Sequence, residues 1–191
     1  MVRLLGIDAK RKTFSFKCGL CDGLHEGPPS FAHRRPPYYF DVPEAERAAR
    51  VEITDDLCRI SPAEPDGSDA IFCIRATLDI PIIGSEAPFC WGVWVTQSEE
   101  AYLRYVATFD DDQSADGAFG WLAVVMPHYR RTAPGDYLEH LACDVEWGAK
   151  GQRPKVRVRP CDHPLYADQT NGIEWESAVE IARLAMHGPK D

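Results

Sequence analysis

Residues 71–80 alternate without a break. Phe72, Ile74, Ala76, Leu78 and Ile80 fall on one side, and Cys73, Arg75, Thr77 and Asp79 on the other. A period of two held over this length is a β-strand with one face against a core, so the middle of the chain is committed to a sheet. Residues 89–95, Phe-Cys-Trp-Gly-Val-Trp-Val, are apolar on both faces and suit a central strand covered on both sides. Residues 117–126, with Trp121, Val124 and Val125, give another strand. Residues 141–147 and 155–159 flank Gly148-Ala-Lys-Gly-Gln152 and read as a hairpin. Its register follows from its pattern. Pairing Val145 with Val156 and Cys143 with Val158 buries one face and sets Glu146 against Lys155 and Asp144 against Arg157 on the other. A one-residue slip would break both faces. The outer face is then a self-neutralised ladder rather than a basic nucleic-acid patch.

Helices are interspersed. Residues 43–50 read as a short helix with Pro43 at its first turn and acids early. Thr96 and Glu99 have capping-box spacing, and Tyr102, Tyr105, Val106 and Phe109 form an apolar stripe. Residues 175–187 place Trp175, Ala178, Val179, Ala182, Ala185 and Met186 on one side and end at Gly188-Pro189. Strands in runs with scattered helices predict an α+β fold, a single domain with a mainly antiparallel sheet. Residues 1–12 are expected as a loosely held lead-in and residues 13–191 as the domain. Residues 26–42, carrying Pro28, Pro29, Pro36 and Pro37, read as an extended connector whose Phe31, Tyr38, Tyr39 and Phe40 pack on the body.

The chemistry concentrates in Cys18-Gly-Leu-Cys21-Asp-Gly-Leu-His25. Residues 14–18 alternate like a short strand running into this turn. A Cys-x-x-Cys turn points both sulfurs to one side, the half-site of a zinc knuckle, and turn N–H groups stabilise thiolate charge. A structural zinc needs four ligands. His25 follows closely, and Cys58 stands at the end of the connector. Cys161, His163 and His33 are alternates. Cys73, Cys90 and Cys143 lie in strand segments and read as buried or half-buried thiols. A thioredoxin-like redox reading is disfavoured, because no βαβ pattern or helix start follows Cys21.

Other chemistries are excluded by what is missing. His25-Glu26 begins like a zinc-protease motif, but position 29 is Pro. The deaminase pattern, P-loop, GxSxG and GxGxxG are absent. Asp112-x-Ser114-x-Asp116-Gly117 resembles the start of a calcium loop, yet its twelfth position is Ala123. Trp91 and Trp94 fall on opposite faces of one strand, so they form no shared stacking platform. Tyr166, Asp168, Gln169 and Asn171 suit either a pocket or a capped turn before the last helix.

A net charge of −9 argues against nucleic acid and anionic membranes and favours a basic partner. The first residues are too short an apolar stretch for an export signal, and no run approaches the roughly 18 residues of a membrane span. A cytoplasmic protein is expected, in which the seven cysteines are metal ligands or buried thiols rather than a disulfide framework.

From Phe16 to His187 the chain resembles a bacterial domain-of-unknown-function family, number twenty-one ninety-nine. The resemblance rests on Phe16-Lys-Cys-Gly-Leu-Cys21 with His25, Asp56-Leu-Cys58, Leu78-Asp-Ile-Pro-Ile82 and residues 89–95. It continues through Ser98-Glu99-Glu100, Phe119-Gly-Trp-Leu122, Asp162-His-Pro-Leu165 and Gln169-Thr-Asn-Gly-Ile173. It implies a cytosolic bacterial protein and makes His25 and Cys58 the preferred partners of Cys18 and Cys21. It carries over no catalytic residue, and residues 1–13 lie outside it.

Together these expectations describe a zinc-binding interaction module with zinc on Cys18, Cys21, His25 and Cys58. Its partner would be a protein with a basic surface, such as a toxin it neutralises. The alternatives are a zinc hydrolase with an open metal position and Glu26 or Asp22 as base, and a metal-free, immunity-type interaction domain.

Overall fold

The computed structural model describes residues 3–18, 21–64, 70–131 and 138–187. The chain opens with a three-stranded antiparallel sheet of β1 (Arg3–Asp8), β2 (Thr13–Lys17) and β3 (Leu24–Glu26). This corrects the loose lead-in. The basic residues at 3 and 10–12 suggested solvent, but Leu4 pairs with Phe16 and Ile7 with Phe14, and both Leu4 and Ile7 pack on the main core. Next come β4 (Phe31–Ala32), α1 (Tyr38–Asp41), α2 (Glu44–Arg50), β5 (Val51–Ile53) and β6 (Leu57–Ile60).

Five strands follow in a meander: β7 (Ile71–Ile80), β8 (Phe89–Gln97), β9 (Gly117–Ala123), β10 (His140–Glu146) and β11 (Lys155–Val158). Each pairs antiparallel with the next. An odd number of up-and-down strands leaves the first and last pointing the same way, and β11 does pair parallel with β7. The sheet therefore closes into a barrel, where the sequence suggested a simple antiparallel sheet. Alternation assigns each strand an inner face, but it does not say whether the edges meet. At the seam, Thr77 donates its backbone N–H to the Pro154 carbonyl at 2.8 Å and its hydroxyl at 3.2 Å.

The barrel is filled by Ile74, Ala76, Leu78, Val93, Val95, Leu122, Cys143, Val145, Val156 and Val158, all buried. Gly120 lets β9 cross β8 closely, since a Cβ there would lie 2.6 Å from the Thr96 carbonyl oxygen. The hairpin register is the expected one, with Cys143 opposite Val158 and Glu146 opposite Lys155. Its ion pairs run diagonally. Arg157 meets Glu146, Arg159 meets Asp144 at 2.6 Å, and Lys155 reaches Asp79 on β7 at 3.5 Å.

β8 is apolar on both faces for two different reasons. Trp91 faces the barrel core, whereas Trp94 lies outside it in a second cluster with Val42, Cys58, Ile60 and Cys73. The connector forms this cover: β4 pairs parallel with β8, and Trp94 Nε1 donates to the His33 carbonyl at 3.0 Å. Phe31 stacks on Trp91 with ring centres 4.9 Å apart, but Phe40 is 59% exposed, against expectation, because α1 turns it outward.

The helices are α3 (Glu99–Ala107), α4 (Pro164–Asn171) and α5 (Trp175–His187). α3 is capped by Ser98, which accepts from the Ala101 N–H at 3.2 Å. Thr96 remains in β8, so the cap lies two residues later than its spacing suggested. Of the expected α3 stripe only Tyr105 is buried. Tyr166, Asp168, Gln169 and Asn171, expected to line a pocket or form a capped turn, lie instead in α4 itself. His163 Nδ1 accepts from the Leu165 N–H, Asp168 accepts from the Tyr129 hydroxyl, and Gln169 binds both the N–H of Val158 and the carbonyl of Val156. Phe14 meets Trp175 of α5 at 4.7 Å and Phe89 at 5.7 Å, which anchors β2 to the barrel.

Candidate metal centre

The β2–β3 hairpin pairs Ser15 with Glu26, Phe16 with His25 and Lys17 with Leu24. Continuing that register sets Cys18 across from Gly23, and the Cys18 N–H donates to the Gly23 carbonyl at 2.9 Å. Strand residues two apart share a face, so Cys18 lies on the face of Phe16, and His25 joins them from the opposite strand. The Phe16 and His25 rings stack with centres 5.6 Å apart, which fixes the imidazole. The turn brings Cys21 back over this face. Asp22 adopts φ 59°, and its carboxylate is held by Lys17 at 3.0 Å.

The result is a group of three ligand-type side chains. The Cys18 and Cys21 sulfurs and a ring nitrogen of His25 lie within 4.8 Å of one another, and Cys21 Sγ is 3.1 Å from His25 Nε2. Gly23 leaves room for them. A Cβ there would sit 3.3 Å from Cys21 Sγ and 3.6 Å from His25 Nε2. Sequence reading missed the roles of Phe16 and Gly23. The signals were present: an apolar residue two before the first cysteine, and a glycine between the second cysteine and the histidine. Cys21 and His25 are exposed and Cys18 is half-buried, so the site sits at the outer end of a hairpin whose inner end is fixed by buried Phe14.

The other candidates lie elsewhere. Cys58 is wholly buried on β6, opposite Cys73 on β7, and burial pushes its thiol up to about 11. The connector that was expected to return Cys58 to the turn is itself packed on β8. His33 stacks on Trp91 at 6.4 Å, Cys161 is exposed beyond β11, and His163 is spent as the cap of α4 with Glu139 3.4 Å from its Nε2. Among the described residues, Cys18, Cys21 and His25 form the group suited to a metal.

Two thiolates and an imidazole are a soft set that suits zinc. A zinc held by these three would need a fourth ligand to complete its coordination. Among the described residues, no helix is long and apolar enough to cross a membrane. No curated protein and no solved structure matches the chain. Residues 17–173 match the family model described as an uncharacterized protein conserved in bacteria (DUF2199), a span that includes all three residues of the group, and the chain belongs to that family.

Proposed function

We propose that this protein binds zinc through Cys18, Cys21 and His25, and that the metal fixes the β2–β3 hairpin as a surface for binding another protein. The supporting observation is the convergence of the three donor atoms within 4.8 Å on one exposed turn. The barrel has its own packed interior and does not depend on the site, so the zinc orders a local surface rather than the whole fold. The net charge of −9 favours a partner with a basic surface. The test is metal analysis of the native protein, followed by cobalt substitution. We expect about one metal per chain with sulfur-to-cobalt charge-transfer absorption, and loss of both in Cys21→Ser. A chain that purifies without metal and takes up no cobalt would point to a metal-free interaction domain.

A second reading is a zinc hydrolase, favoured by the open fourth position. Two observations weigh against it. Thiolates donate negative charge to zinc and make a bound water less acidic. The two candidate bases are also engaged, Asp22 with Lys17 at 3.0 Å and Glu26 with Arg11 at 3.6 Å.

A further inference from the structure

The thiols of this chain fall into two chemical settings. Cys58, Cys73 and Cys143 are wholly buried, and burial holds all three thiols protonated, with Cys58 raised to about 11 and Cys143 to about 12. Half-buried Cys90 is raised to about 11. A protonated, water-excluded thiol is a poor nucleophile toward oxidants. Cys21 sits in a different place. It is exposed, its sulfur faces an imidazole nitrogen at 3.1 Å, and a second sulfur, that of Cys18, lies within 4.8 Å. A reactive thiol with a resolving thiol beside it is the arrangement of a reversible redox pair.

We propose that Cys18 and Cys21 are a peroxide-oxidisable pair whose disulfide expels the metal. This rests on the zinc reading above and adds its regulation. The exposed Cys21 thiolate attacks one oxygen of hydrogen peroxide. The O–O bond breaks, Cys21 becomes a sulfenic acid, and the departing hydroxide takes a proton to give water. The Cys18 thiolate then attacks the Cys21 sulfur. The S–S bond forms, the S–O bond breaks, and a second hydroxide leaves as water. Two thiolates have lost two electrons, peroxide has gained them, and zinc leaves unchanged as Zn²⁺. His25 alone is too weak a ligand to retain it. A dithiol reductant returns both thiolates, and zinc rebinds. The chain would hold its metal under reducing conditions and release it under peroxide.

The test uses the full chain and begins with its zinc content. Absence of stoichiometric zinc sinks the metal reading, whatever the thiols do. The zinc-loaded protein is then treated with one equivalent of hydrogen peroxide. Released zinc is followed with a colorimetric chelator, free thiols are counted, and cross-links are mapped by peptide mass. The expected result is release of one zinc per two of the seven thiols lost. A peptide joining Cys18 to Cys21, lighter by two hydrogens, should appear, with full recovery on dithiothreitol and zinc. Cys161→Ser removes the other exposed thiol and should leave release unchanged. Zinc retained while thiols are lost elsewhere, or release with Cys21 over-oxidised and no cross-link, overturns the redox pair and leaves the metal site standing. A cross-link in a chain that holds no zinc would sink the metal reading and the expulsion step with it, and leave only an oxidisable thiol pair.

Discussion

Cys18 and Cys21 on the hairpin, and Cys58 and Cys73 across β6 and β7, are both pairs of neighbouring sulfurs. Only the first pair has a third ligand-type side chain beside it. Cys58 and Cys73 face each other in register but sit in a dry cluster with Val42, Ile60 and Trp94, where loss of water contact is the main reason both thiols hold their protons. There the second sulfur adds repulsion, since charge on Cys58 further raises Cys73. On the hairpin, Cys21 is exposed, Cys18 is half-buried, and His25 supplies a third donor beside both. Two adjacent sulfurs do not make a metal site. Water access and a further ligand on the same face do.

The sharpest way to break this comparison is to exchange the pairs. Cys21→Ser should abolish stoichiometric zinc, while Cys58→Ala should leave zinc content intact. Zinc lost in the Cys58 variant would make it a ligand and end the contrast. The next largest effect lies in the barrel. Leu78→Ala empties a wholly buried interior position and should cost about 2–5 kcal/mol in urea unfolding with unchanged zinc content. Conversely, Cys21→Ser should lose hydrogen-exchange protection in residues 13–26 only. Loss through β7–β10 would show that the metal supports the barrel as well.

A third test is alkaline pH. Cys58 and Cys143, at about 11 and about 12 in the fold, lie above the ordinary thiol value of 9.0. The unfolded chain therefore releases these protons first. Their contribution to stability is complete below pH 9 and is lost as pH rises toward 11 and 12. Tyr105, raised to about 12, adds to the same trend above pH 10. Melting temperatures should fall across this window, and Cys143→Val should flatten the fall. The smallest effect concerns the ladder. A double-mutant cycle on Asp144 and Arg159 should give a coupling of only about 0.2–1 kcal/mol, because both side chains are about half exposed.

The hairpin of β10 and β11 was legible to the residue because its pattern overdetermines it: valines fill one face and charges the other. α5 was legible for the same reason, through Trp175, Ala178 and Ala182. The three-residue metal group was legible because its members lie within one turn. The partnership of Cys58 was not, because its burial is set by the connector folding over Trp94, a tertiary event with no local signature. The diagonal ion pairs also escaped the pattern. Long Arg157 and Arg159 reach past their direct partners, a matter of side-chain length rather than register. Barrel closure was hidden for a similar reason, since the seam between Thr77 and Pro154 joins positions far apart in the chain.

That seam also bears on the order of assembly. Each antiparallel pair of the meander joins sequence neighbours, but the closing contact must gather a loop of 77 residues before it gains its first bond. Chain-closure entropy makes such a contact late. The pairing of Phe14 with Trp175 is later still in synthesis, because α5 is the last element to be made. The turn that carries Cys18, Cys21 and His25 needs only residues 13–26. Nascent chains should therefore have Cys18, Cys21 and His25 side by side well before the barrel to which they are moored has shut.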